Sequence, residues 1–201
     1  VIANVKSGAN IGPIPATTIT TSTGGIGSVT GNSVTVASAP TLQTITIGSA
    51  VLTAAVNTGS TPDSANVIAG SAEVKVGSFR FTAQYSPYTV DKIAVKVPAN
   101  AATSITSVTL RYPNASGVST DSTAVLALSS GAQTYATATF TGLTFYIPSD
   151  ASKKLDVYVS LSTIASGATS GSAISVVLDA NEEYRNTDSA GTVDTTLAGS
   201  D

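Results

Sequence analysis

"FTGLTFYIPSDASKKLDVYVSL", Phe140 to Leu161, decides the fold class. Leu143, Phe145 and Ile147 share one parity, with Thr144 and Tyr146 between them; after "PSDASKK" the apolar set resumes as Leu155, Val157, Val159 and Leu161, separated by Asp156, Tyr158 and Ser160. A period of two is that of a strand with one face buried, and the Pro-Ser-Asp group marks a turn. The stretch therefore reads as two strands whose apolar residues face a core. Thr144, Tyr146, Asp156, Tyr158 and Ser160 face outward, with Tyr146 and Tyr158 on the outer face of neighbouring strands.

The same pattern extends upstream and downstream. "AVLTAAVNT" reads as one strand and "SAEVKVGSFRFTAQY" as a longer one, in which Val74 and Val76 lie on one parity and Phe79 and Phe81 on the other. A parity change across Gly77 signals a β-bulge or a bend between sheets. In "YTVDKIAVKVP", Ile93, Val95 and Val97 point inward while Lys92, Ala94 and Lys96 point outward. "SITSVTLRYP", a weaker "STAVLALSS", "QTYATATF" leading into "GLTFYIP", "KKLDVYVSLS" and "SAISVVLDA" follow, and "TVDTTLAG" adds a last candidate. Strands about ten residues apart, with Gly, Pro, Asn and Asp between them, predict an all-β antiparallel sandwich. No stretch shows helical periodicity.

Composition narrows the chemistry. Of 201 residues only 10% are charged while 42% are hydrophobic, and Ser, Thr and 17 Gly take the place of the missing charge. A solvated disordered chain needs the opposite balance. Cys, His, Met and Trp are all absent. Ser-His-Asp triads, Cys-His dyads, zinc-thiolate sites and His-ligated metals are therefore excluded, and no disulfide framework exists. Paired carboxylates remain as glycosidase chemistry, but the acids are scattered over turns and no Trp is present to stack a sugar; the expectation is that the chain is not an enzyme. A net charge of −3 with nine basic residues argues against nucleic acid, which needs clustered Lys and Arg. No apolar run approaches a membrane span. The absence of Met leads to the expectation that Val1 follows a removed leader, as in a secreted protein.

Charge is also unevenly distributed. Lys6 is the only charged side chain before Asp63. In the uncharged run, "ATTITTSTGGIGSVTGNSVTVASAPTLQTITIG" alternates Ile and Val with Thr and Ser, divided by turn signals. Nothing in such a segment repels edge-to-edge pairing, so it is expected to be covered, either by another subunit or domain or by sugar on its hydroxyls. The domain reading is residues 1–40 as an extended, β-prone Ser/Thr/Gly-rich segment and 41–201 as the sandwich.

Three stretches, "SANVIAGSAEVKVGSFRFTAQYSPYTVDKIAVKV" (Ser64 to Val97), "SITSVTLRY" (Ser104 to Tyr112) and "ATFTGLTFYIPSDASKKLDVYVSLS" (Ala138 to Ser162), resemble the immunoglobulin-like modules of bacterial surface-layer and filament or pilus-like proteins. The resemblance covers roughly residues 41–201 and leaves Val1 to Pro40 unexplained. It implies an immunoglobulin-like sandwich and an extracellular or cell-surface location, and it carries over no catalytic residue.

The functional expectation is a structural subunit whose partners are copies of itself, assembled into an extracellular filament or a surface layer. In its sharper form a strand from within the N-terminal segment adds to a sheet edge of a neighbour; the candidate pieces hold Ile11, Ile14 and Ile19, and Val34 and Val36. The rival is an adhesin or carbohydrate-binding module recognising a cell-surface glycan, with Tyr85 and Tyr88 flanking a turn and Tyr146 and Tyr158 as exposed aromatics. Asp179, Asn181, Glu182, Glu183 and Asp188 form an acidic group with oxygen donors of the kind calcium takes, although Arg185 sits inside it and the spacing is not that of an EF-hand. The alternative for this group is a solvated loop. "NAS" at Asn114 is a glycosylation sequon. Lys75, Lys92 and Lys96 stand on strands where a Lys–Asn isopeptide bond is conceivable, but no apolar pocket for one is legible.

Overall fold

A computed structural model describes residues 12–14, 25–26, 33–34, 45–62, 64–127, 134–179 and 183–197. The chain divides into two compact units, Val1–Ser49 and Ala50–Asp201. Within the first, β1 (Gly12–Ile14) pairs antiparallel with β4 (Ile45–Ile47), and β2 (Gly25–Ile26) pairs antiparallel with β3 (Ser33–Val34).

The second unit is the expected all-β sandwich. Its strands are β5 (Val51–Val56), β6 (Val74–Gln84), β7 (Tyr88–Pro98), β8 (Ile105–Pro113), β9 (Ser119–Ala124), β10 (Tyr135–Ile147), β11 (Ser152–Leu161), β12 (Val177–Asp179), β13 (Arg185–Asp188) and β14 (Val193–Asp194). One antiparallel sheet runs β5-β6-β11-β8-β9; the other runs β10-β7-β13-β14, with β12 also paired to β7. The β12 and β13 strands lie end to end along β7, opposite residues 94–96 and 88–92 respectively. Short 3-10 turns at Ala99–Ser104 and Ile164–Ser166 are the only helical pieces among the described residues.

The opening stretch is indeed two strands, but they are not a hairpin. The β10 strand belongs to one sheet and β11 to the other, so the turn at residues 148–151 carries the chain across the core. Leu143, Phe145, Ile147, Leu155, Val157 and Val159 are buried, as their parity requires. Phe145 binds the sheets together: its ring meets Phe81 of β6 edge-on, with centroids 5.1 Å apart, and lies 5.7 Å from the ring of Tyr112 on β8. Such aromatic pairs each contribute about 0.5–1.5 kcal/mol beyond the area they bury.

The parity change in β6 is a bulge. Val157 pairs with Gly77 and Tyr158 with Lys75, leaving Val76 unopposed, so Val74, Phe79 and Phe81 all reach the core side. Gly77 is required there for close approach: a Cβ at this position would lie 2.7 Å from Cγ2 of Val176.

Two elements differ from the sequence reading. The β9 strand covers Ser119–Ala124 rather than "STAVLALSS", and none of its residues is buried. The β13 strand falls inside "LDANEEYRNTDSAG", read above as a candidate calcium group or a solvated loop; Asn186 in the strand and Tyr184 just before it are buried. "SAISVVLDA" contributes only the three residues of β12.

The flanks of the sandwich are unequal. On one, Ala127, three residues beyond β9, forms an isolated antiparallel bridge with Thr137 of β10. On the other, β5 and β14 form the sheet margins, and between them lies a cleft of about 310 Å³ lined by Ala50, Val51, Leu52, Tyr88, Asp194, Thr196 and Leu197.

Gly77→Ala is expected to lower stability by about 1–3 kcal/mol, the usual cost of overpacking, and Val176→Ala in the same chain should recover most of the loss. Denaturant titrations of the two single variants and the double variant measure that coupling.

Candidate functional site

The few charged side chains are spent on cross-strand pairing. On the outer face of the second sheet, Lys96 Nζ lies 2.9 Å from Asp179 Oδ2 and Lys92 Nζ 2.6 Å from Glu183 Oε2, while Arg185 Nε donates to both carboxylate oxygens of Asp91 at 2.9 Å. Ala94, expected outside, is buried between Lys92 and Lys96 on that face, with Thr139 and Asp179 as its cross-strand neighbours. On the outer face of the first sheet, Arg111 forms a two-point pair with Asp121 at 2.7 Å, and its guanidinium carbon lies 4.7 Å from the centre of the Tyr158 ring.

Asp156 departs most from its expected position. Its parity points outward, yet the residue is only 5% exposed. The Ser78 hydroxyl donates to Oδ1 at 2.6 Å, Lys75 Nζ stands 3.0 Å from Oδ1, and Lys154 Nζ 3.3 Å from Oδ2. Burial pushes the carboxyl pKa up; the Ser78 hydrogen bond and the two ammonium groups outweigh it and hold the pKa below the usual Asp value. Each of the three strand lysines singled out above thus faces a carboxylate: Lys75 with Asp156, Lys92 with Glu183, Lys96 with Asp179.

Of the acidic group proposed for calcium, the described members Asp179, Glu183 and Asp188 are not brought together. Asp179 sits opposite Ala94 and Asp188 opposite Tyr88, six residues apart along β7 and so roughly 20 Å at strand spacing. Asp179 and Glu183 are each paired with a lysine, and Asp188 Oδ1 accepts the backbone N–H groups of Ala190 and Thr192, capping its own turn. Asn181 and Glu182 lie outside the described residues. No group of three or more acidic side chains suited to a metal occurs among the described residues.

Asn114 lies in the β8–β9 turn, where its Oδ1 accepts the N–H groups of Ser116 and Val118, each at 3.0 Å. Tyr146 and Tyr158 are not neighbours, because they lie on strands of opposite sheets. Tyr88 is buried, and burial together with Asp188 and Asp194 raises its hydroxyl pKa. Tyr85 is different: it is 67% exposed in a left-handed conformation, φ 65°, and its N–H donates to Asp150 Oδ1 at 2.9 Å. A bulky side chain rarely adopts that backbone region.

Of the expected assembly residues, Ile14 falls in β1 and Val34 in β3, opposite Ile45 and Gly25 respectively. Ile11, Ile19 and Val36 lie outside the described residues. The described residues of both pieces, 12–14 and 33–34, therefore already have main-chain partners inside their own unit. In the sandwich, β5 forms a sheet margin with no charge and no proline, the devices that usually blunt an edge. No helix among the described residues is long and apolar enough to cross a membrane.

Replacing Asp156 with Asn leaves Lys75 without its buried counter-charge and is expected to lower stability at pH 7 by about 2 kcal/mol. Because the folded-state pKa of Asp156 is depressed, its contribution is complete above the ordinary Asp value of about 3.9 and is lost as pH falls through the lower folded value. Denaturation curves from pH 7 to pH 2 should show an acid decline that is shallower in the Asn variant.

No family model matches this sequence, and no curated protein or solved structure shows significant similarity to it.

Proposed function

We propose that the chain is a secreted structural subunit that polymerises with copies of itself at the cell surface, as a filament or a layer, without enzymatic activity. The observation that carries the reading is the absence of any charged residue from Ser7 to Pro62 in a unit whose described strands form pairs only two or three residues long. Two-stranded pairs of that size are marginal in water and need cover from other surface. An uncharged, β-prone surface also lacks the repulsion that keeps copies apart. Because the segments around Ile14 and Val34 are already paired, the N-terminal unit acts as a small body of strands rather than as one free strand. The immunoglobulin-like reading draws its support from strand order: β5-β6-β11-β8 against β7-β13-β14 can be laid on the seven-strand arrangement, with β9 and β10, which come between β8 and β11 along the chain, added at the margins of the two sheets.

A second reading, a glycan-binding module, is favoured by one observation. Tyr85 holds an unfavourable backbone conformation while presenting its ring to solvent, and exposed tyrosines suit sugar faces. Saturable glycan-array binding by the wild type, lost in Tyr85→Ala, would select this reading.

Deleting residues 1–39 is expected to abolish polymerisation and leave a soluble single species, measured by light scattering and electron microscopy. Polymers of unchanged size and number from the truncated chain would refute the role of the N-terminal unit.

A further inference from the structure

The strand registers define two poles of the sandwich. Gln84, Tyr88, Ile147, Ser152 and Asp188 mark one; Val74, Pro98, Ile105, Tyr135 and Leu161 mark the other. The pole at Leu161 carries three branched aliphatic side chains in water: Ile68 is 82% exposed, Ile164 59% and Val67 49%. They are not on loose loops. Gly70 N–H donates to Ser162 O at 2.9 Å and Leu161 N–H to Ser71 O at 2.8 Å. Ser162 N–H in turn donates to Ser104 O, and Thr169 N–H to the Ser104 hydroxyl. Gly70 leaves only the space its lack of a side chain creates, since a Cβ there would lie 3.2 Å from Thr163 Cγ2 in a backbone with φ +87°. The pole is a hydrogen-bonded platform that holds its aliphatic groups outward.

Its loops carry no charge: residues 64–72, 98–110 and 161–178 contain no Asp, Glu, Lys or Arg, and the nearest charges, Glu73, Lys75 and Lys96, stand on or beside the strand ends in ion pairs. The opposite pole differs, with Asp150, Lys153, Asp188 and Asp194 in or beside its turns. Exposed aliphatic groups gathered in one place and rimmed by polar residues mark a contact surface.

We infer that this platform, with Ile68 and Ile164 at its centre, is the seat for the N-terminal unit of a second copy of the chain. The inference rests on the self-assembly reading and names the surface that accepts it. Two observations choose the occupant. Residues 7–49 are uncharged and alternate Ile and Val with Thr and Ser, so they bring apolar groups to the platform and leave no charge to desolvate. The chain also enters the sandwich at the opposite pole, where Val51 pairs with Gln84; the eleven residues of β6 place the platform roughly 35 Å away. A contact between two unlike surfaces, the N-terminal unit of one copy and the platform of the next, repeats head to tail and gives an open polymer where the rotation between copies closes no ring.

The chain has no cysteine, so Ile68→Cys gives a unique attachment point for a benzophenone maleimide. A mixture of ordinary and ¹⁵N-labelled full-length chains is photolysed at polymerising concentration, and the cross-linked peptides are sequenced by mass spectrometry. The expected result is cross-links joining position 68 to residues 7–49 of a differently labelled chain. In parallel, Ile68→Asp with Ile164→Asp should weaken association at least tenfold, as loss of a contact centre does, with the thermal midpoint unchanged because both side chains are exposed. Polymers whose cross-links from position 68 fall elsewhere or within one chain, or which survive the double substitution, overturn the inference and leave self-assembly standing. A wild-type chain that stays a single species throughout overturns self-assembly itself, and the platform's role with it.

Discussion

Scarcity of charge is the constraint on which the rest of this structure depends. A β-sandwich keeps its margins and faces from pairing with other copies chiefly by repulsion and by charged residues on exposed edges. Here the small stock of charge is concentrated in one part of the chain and turned inward on itself. Lys75, Lys92, Lys96, Arg111, Lys154 and Arg185 all sit in ion pairs with carboxylates across strands or on their own strand. Such pairs fix register and leave little field to act beyond the surface. Before Asp63 the sequence carries a single charged side chain, Lys6, and the loops at one pole of the sandwich expose Val67, Ile68 and Ile164.

The core holds together without disulfides, since the chain has no cysteine. Alternating residues of both sheets fill it, and Phe145, projecting from one sheet between Phe81 and Tyr112 of the other, ties the layers together. The bulge at Val76 and the missing side chain at Gly77 let β6 bend while Val176 packs over it. Rigidity at the Leu161 pole then follows, because the loops there are anchored to the ends of β6, β8 and β11 by main-chain hydrogen bonds.

Much of this was legible from residue alternation. The bounds expected for β7 agree with the observed strand, and β6, β8, β10 and β11 fall close to expectation, since each carries three or more apolar residues at period two. The β13 strand escaped because its buried residue is Asn186 in a polar stretch; the Asn186 amide donates to the hydroxyl of Tyr184, just before the strand, at 2.9 Å, a pairing that alternation of apolar residues does not reveal. Asp156 was assigned to solvent by parity, and its burial depends on Ser78, Lys75 and Lys154 meeting over it, which needs the register between strands. The acidic residues from Asp179 to Asp188 looked like one cluster because they are close along the chain; Asp179 in β12 and Asp188 in β13 lie six residues apart along β7. Ile68 and Ile164 carried no signal at all, since single aliphatic residues in turns have no period, and only the exposed pole makes them conspicuous.

The most direct measurement of the central claim is sedimentation velocity of the full chain over a wide concentration range at physiological salt. The account predicts a sedimentation coefficient that rises continuously with concentration, as an open head-to-tail polymer lengthens. A single sharp boundary of monomer size, unchanged from micromolar to millimolar, would contradict it.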